Sequence, residues 1–195
     1  MQWGIFGGAF DPVHNGHLTL AGEILQAAEL DGILFVPSYN PPRKNKGYIA
    51  SFEDRVAMLG LAINGVEKLA ISEIESESDE PGYTLHTVRA LKKRFPKTTL
   101  SFIIGADLLA ELETWYEAEE IAKEVRIIAG TRPGAKLTAP SGYPKGSITL
   151  VETHPVNLAS HEIRALVASG ISLAELARMV PESVATYIFE HGLYR

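Results

Sequence analysis

The sequence predicts an α/β fold: a doubly wound, mostly parallel sheet of about six strands, with helices on both faces and a short helical tail. Two observations carry this. Short apolar runs suited to buried strands alternate with longer helical patterns along the chain. The first run, Gln2 to Phe6, passes through Gly7-Gly8-Ala9 into a helical stretch and on to a second run, Gly32 to Val36. That spacing is a right-handed βαβ unit with parallel strands. A chain of 195 residues with 46% hydrophobic composition suits one such domain over 1–195, its last portion, about 157–195, being helical.

The elements follow in order. After the first helix, LTLAGEILQAAEL, and the second strand comes PSYNPPRKNKGYIAS, whose prolines and basic residues make it a loop. It leaves the carboxyl end of a strand, where open α/β sheets bind ligands. Arg43, Lys44 and Lys46 there suit polyphosphate, or equally a solvated basic loop. Ser51 caps the helix FEDRVAMLGLAI, with Glu53 and Asp54 in its first turn. Lys68 to Ile74 is the third strand, and ESESDE reads as a solvent-facing loop ended by Pro81-Gly82. Tyr83-Thr84 opens the helix TLHTVRALKKRF, apolar at Leu85, Val88 and Leu91, with Lys92, Lys93 and Arg94 complementing the dipole at its end. Thr98 to Ile104 is the fourth strand, followed by Gly105-Ala106-Asp107 at the carboxyl edge of the sheet. The helical stretch LLAELETWYEAEEIAKEV is interrupted at Trp115-Tyr116 and resumes at Glu117. Val125 to Ala129 and Ile148 to Val151 are the last strands, joined by the long connection TRPGAKLTAPSGYPKG. Ser160 reads as the N-cap of the next helix, with Arg164 one turn in. Two short helices finish the chain, Pro181 starting the second and Gly192 following it.

Strand, glycine loop and helix in residues 2–30 make an anion site. Gly7 and Gly8 let phosphates approach the backbone, and a helix N-terminus offers unpaired N–H groups. His14 and His17, three residues apart, add two donors on nearly one face. The loop is neither a Walker A sequence nor the dinucleotide fingerprint. A second anion site combines the Ser160 hydroxyl, free N–H groups and the Arg164 guanidinium. Trp115 and Tyr116 form either a stacking surface for a flat ring or, for Trp115, part of the core. Net charge is −6, which argues against general nucleic-acid binding. The absence of cysteine rules out disulfides, zinc–thiolate sites and a cysteine nucleophile. It also fits a reducing cytoplasm, and no membrane span or signal peptide is visible.

Gly8, Phe10, Asp11, Pro12, His14, Gly16 and His17 fill every fixed position of G-x-F-D-P-x-H-x-G-H. This resembles the signature of the nucleotidylyltransferase superfamily. Further segments are similar to the bacterial nicotinate-nucleotide adenylyltransferases: Pro37 to Lys44, Tyr83-Thr84, Gly105-Ala106-Asp107 with Leu109 and Trp115, Arg132-Pro133-Gly134, Leu158 to Arg164, and Gly192 to Tyr194. Arg43 stands where that family usually has histidine, and Ala159 and His161 replace a serine and a threonine.

The resemblance implies a Rossmann-like fold and transfer of AMP from ATP to nicotinate mononucleotide, releasing pyrophosphate. It implies catalytic roles for His14, His17, Lys44 and Arg164. ATP would lie on Gly7, Gly8, Phe10, His14, His17, Gly105, Asp107, Ser160, Ile163 and Arg164. The pyridine nucleotide would lie on Ala9, Lys44, Tyr83, Thr84, Asp107, Trp115, Tyr116 and Arg132. Mg²⁺ would be held mainly by ATP phosphates and water, with no protein metal ligand, and Asp11 either orients the loop or reaches the metal shell. The expected partners are the two nucleotides, with no nucleic acid and no membrane, and homo-oligomerisation is left open. Tyr116 precedes a helix N-terminus that would favour the pyridine carboxylate, provided that Glu117, Glu119 and Glu120 face solvent. The competing readings are a nicotinamide-nucleotide or pantetheine-phosphate adenylyltransferase, a cytidylyltransferase, a metal-dependent hydrolase built on His14, His17 and Asp11, and a nucleotide-sensing module without turnover.

Overall fold

The computed structural model describes residues 1–40, 49–131, 140–154 and 156–195. The elements run β1 (Gln2–Gly8), α1 (Asn15–Ala27), β2 (Gly32–Pro37), α2 (Phe52–Ile63), β3 (Leu69–Ile71), α3 (Thr84–Arg94), β4 (Thr99–Gly105), α4 (Ala106–Glu111), α5 (Ala118–Glu124), β5 (Arg126–Thr131), β6 (Ile148–Glu152), α6 (Ser160–Ala168), α7 (Leu173–Leu176) and α8 (Glu182–Glu190). The strands form one 6-stranded sheet in the order β3-β2-β1-β4-β5-β6. Every neighbouring pair is parallel, so the mostly parallel sheet expected is parallel throughout.

Alternation along the strands splits the interior in two. Phe6, Ile33, Phe35, Ile103 and Ile128 face α1, α2 and the helices after β6, where Ile24, Met58, Leu59, Ile163 and Ile188 pack. Ile5, Leu34, Val36, Phe102, Ile104 and Ile127 face the other way, onto Leu85, Val88 and Leu91 of α3 and Ile121 of α5. Both faces are covered, which is why the strands read as continuous apolar runs.

The strand order reverses between β1 and β4. Ligands enter open α/β sheets at such a reversal, beyond the carboxyl ends of the strands. Register brings Gly8 beside Pro37 on one side of that edge, and β4 ends at Gly105 on the other. Ser51 caps α2, accepting from the Asp54 N–H at 3.0 Å. The third strand is shorter than expected, because Ile74–Glu77 winds into a 3-10 turn. That turn also corrects the reading of ESESDE as solvent-facing: Glu75 is turned inward, where its carboxylate accepts from the Thr87 hydroxyl and the Tyr39 N–H.

Candidate active site

A cavity of about 540 Å³ opens where the strand order reverses, floored by Gly7 and Gly8 and walled by His14, His17, Asp107, Thr153 and Ser160. The glycines are set by what lies over them. A Cβ at Gly8 would sit 3.0 Å from the Phe10 ring, and one at Gly16 would sit 3.0 Å from the His14 ring. Phe10 itself is 1% exposed, in the left-handed region at φ 49°, with its ring edge-on to Phe6, Phe35 and His17. It shapes the cavity from inside the core.

His14 is the N-cap of α1 and His17 its third residue, so one turn of helix stacks their rings with centroids 3.7 Å apart. The His14 N–H donates to His17 Nδ1 at 3.2 Å. In the neutral ring the proton therefore sits on Nε2, which becomes a donor in the cavity wall. Burial lowers His14 to about 4. Burial first, then the neighbouring His14, holds His17 well below the usual histidine range. Both rings are neutral at pH 7. Above an unfolded value of about 6.5 they add no pH dependence to folding, since neither state binds the proton. As pH falls from about 6.5 towards 4, the unfolded state takes up protons that the folded state refuses. Stability should then fall by about 1.4 kcal/mol per pH unit per histidine. Urea unfolding of the wild type and of His14→Gln between pH 7 and 4.5 should show a shallower acid slope in the variant.

Asp11 is 3% exposed and engaged on both oxygens. Oδ2 accepts from the Ile49 N–H at 2.9 Å, and Oδ1 from the Ala50 N–H at 3.2 Å and the Tyr194 hydroxyl at 2.7 Å. Of its two expected roles, orienting the loop is the one this geometry serves. The peptide bond to Pro12 is cis. Around it, Arg55 Nη1 donates to the Ala9 carbonyl at 2.8 Å, Arg164 Nη1 to the Asp11 carbonyl at 2.6 Å, and the Ser160 hydroxyl to the Pro12 carbonyl at 3.0 Å.

The last contact corrects the reading of α6. Its N-cap is Ala159, not Ser160, and the Ser160 side chain ties the helix to the loop instead of closing its own end. Ile163 is fully buried and its N–H is spent on the Ala159 carbonyl, so it offers an anion neither side chain nor donor. The Ser160 and His161 N–H groups have no backbone acceptor among the described residues. Arg164 does not line the cavity as it stands; one arm of its guanidinium holds Asp11.

A smaller cavity of about 160 Å³ adjoins the first through Gly7, Gly8 and Leu108, and is lined by Trp115, Phe102, Thr84 and Glu75. Trp115 stands edge-on to Phe102, half-buried, so it is at once core and wall. Thr84 opens α3, and the N–H groups of Thr84 and Leu85 have no backbone acceptor among the described residues. Tyr116 lies outside this cavity, its ring 4.4 Å from that of Tyr83. It does precede a helix, where Glu113, Glu117 and Glu119 are exposed and Glu120 pairs with Lys123, as the expectation required of the glutamates there. The start of α3 is the helix end that borders the smaller cavity. Burial raises the Glu75 carboxyl above the usual carboxylate range. Asp107 is exposed in the first turn of α4, and Ala9 lines the larger cavity. Lys44 and Arg132 lie outside the described residues, as do Arg43 and Lys46.

Arg55, Glu75 and Tyr194 escaped sequence reasoning as site residues. Arg55 carried a signal: it falls on the apolar face of its helix with Met58 and Leu59, and a charge there needs a buried partner. Glu75 had none, since five of its neighbours in ESESDE are as polar as it is.

The cytidylyltransferase-like family model matches residues 5–166, and the chain belongs to that family. Within it the chain falls among the nicotinate-nucleotide adenylyltransferases. It is 40% identical over 192 residues to the nicotinate-nucleotide adenylyltransferase of Bacillus subtilis, covering 98% of this chain and 97% of the relative. It is 42% identical over 193 residues to the probable nicotinate-nucleotide adenylyltransferase of Halalkalibacterium halodurans, covering 98% and 90%. The fold matches the nicotinic acid mononucleotide adenylyltransferase of Plasmodium falciparum, complexed with NaAD, at a TM-score of 0.83 and 22% identity over 99% of this chain and 97% of that one.

Proposed function

We propose that this chain transfers AMP from ATP to nicotinate mononucleotide, giving nicotinate adenine dinucleotide and pyrophosphate in NAD biosynthesis. The observation that carries this is the neutral, stacked His14–His17 pair at the start of α1, facing a nucleotide-sized cavity that adjoins a smaller one at the start of α3.

A 5′-phosphate oxygen of the mononucleotide attacks the α-phosphorus of ATP, and the bond to the β-phosphate oxygen breaks as pyrophosphate leaves. The protein supplies position and neutralises charge on the equatorial oxygens. His17 Nε2–H is the donor to the reacting phosphate, with the Gly16 N–H beside it. The α6 N–H groups of Ser160 and His161 receive the leaving pyrophosphate. The remaining Arg164 donors and Lys44 add positive charge. Mg²⁺ would screen the phosphate charge, held by the phosphates and water as that ion prefers. The residues fit this mode: Asp11 spends its oxygens on protein donors. The same commitment argues against a hydrolase with a metal held by His14, His17 and Asp11.

The pyridine carboxylate is received by the Thr84 and Leu85 N–H groups, with Trp115 against the ring. An amide in its place gains less charge-assisted bonding and turns its NH₂ towards donors. The expected result is at least about tenfold higher kcat/KM for nicotinate than for nicotinamide mononucleotide. Side-by-side kinetics with ATP and Mg²⁺ test it. Equal values would remove the carboxylate from the start of α3, and no dinucleotide from either substrate would overturn the function itself.

A further inference from the structure

Tyr194 lies far from the reacting phosphates in sequence, yet its phenol reaches into the signature loop. The ring is 8% exposed, and the hydroxyl donates to Asp11 Oδ1 at 2.7 Å. Burial first, then the hydrogen bond to Asp11, raises the phenol far above the usual tyrosine range, so it remains a donor. The backbone that delivers it is in the left-handed region, at φ 65°. A bulky residue rarely adopts that conformation, and it persists where the surroundings enforce it. Phe10, the residue before Asp11, is left-handed too, at φ 49°. Two unfavourable backbone conformations thus meet at one carboxylate.

We propose that Tyr194 is a positioning residue for adenylyl transfer: by holding Asp11 it fixes the Asp11–Pro12 segment and, through it, the stacked His14–His17 pair. Asp11 is three residues from His14, and Phe10 packs edge-on against the His17 ring, with centroids 5.1 Å apart. The loop is therefore joined to both ends of the pair, by the chain on one side and by ring contact on the other. A hydrogen bond between a neutral donor and a buried carboxylate is one of the stronger kinds. Among the described residues, the Ile49 and Ala50 backbone N–H groups also donate to this carboxylate, and Arg164 Nη1 lies 4.0 Å from Oδ2. Losing the phenol removes a short side-chain hydrogen bond from that set, and small displacements of a donor are costly in a reaction that depends on position.

This rests on the function proposed above, and the experiment separates the two. Tyr194→Phe in the full chain keeps the ring and removes the hydroxyl. Kinetics are measured well below the melting temperature, alongside ¹⁵N-histidine spectra without substrate. The expected result is a kcat lower by roughly five- to tenfold, with KM for both substrates nearly unchanged. The His14 and His17 ring signals should shift or broaden, while His86, packed on Tyr83 and Tyr116, stays in place. A fall in melting temperature with unchanged kcat would overturn the proposal, leaving Tyr194 a structural anchor. A lower kcat with unchanged His14 and His17 signals would overturn it too, since the effect would not pass through the pair. If the wild type makes no dinucleotide, the functional reading fails. The histidine spectra then still decide whether Tyr194 holds the pair.

Discussion

His17→Ala is expected to lower kcat by about 10²- to 10³-fold, with little change in the affinity for ATP. The tautomer carries the argument. Because Nδ1 accepts from the His14 N–H, the only proton of the neutral ring is on Nε2. That donor is fixed before substrate arrives, costs no reorganisation, and strengthens as charge builds on the phosphate oxygens. The ring also packs against Phe6 and Phe10, so the variant loses some stability. Pre-steady-state kinetics well below its melting temperature separate the two losses. A normal kcat with a raised KM would reduce His17 to a binding role.

Asp11→Ala is expected to destabilise the fold by about 2–5 kcal/mol, a large part of a domain's stability. The substitution strands two buried donors, the Tyr194 hydroxyl and the Ala50 N–H, and releases the N–H of the exposed Ile49 to water. Each unsatisfied buried donor costs about 1–3 kcal/mol, and relaxation recovers part of the sum. Asp11→Asn should cost less, because its oxygen still accepts. The midpoint of urea unfolding measures both. In Asp11→Asn the Mg²⁺ concentration for half-maximal activity should be unchanged. A large rise in that requirement would return Asp11 to the metal shell.

Much of this was legible in the sequence, for identifiable reasons. Strands buried on both faces announce themselves as unbroken apolar runs, so Gly32 to Val36 and Thr98 to Ile104 were visible at once. The signature loop was visible because its glycines and histidines have few alternative uses at that spacing. Ser160 misled because a serine before a helical pattern is ordinarily a cap. Here the hydroxyl finds the Pro12 carbonyl, 148 residues away, and no local rule contains that partner. Glu75 failed likewise: its inward turn depends on the Thr87 hydroxyl of α3 and the Tyr39 N–H beyond β2. Tyr116 was placed correctly before a helix. What the local pattern left out is that Tyr116 packs on Tyr83 outside the smaller cavity, while the start of α3 borders it, with Glu75 in the same wall.

The grip on Asp11 also has a temporal side. Its partners stand 153 and 183 residues further along, at Arg164 and Tyr194. Synthesis proceeds from the amino end, so the reacting loop leaves the ribosome first and its holders last. A nascent chain that has reached β6 already contains every strand of the sheet, and the local helix can already stack the two imidazoles. The His14 N–H, the Phe10 ring and the Ile49 and Ala50 N–H groups are in place by then, but the Arg164 and Tyr194 contacts to Asp11 are not. The full hold on the reacting loop is therefore among the late events of folding.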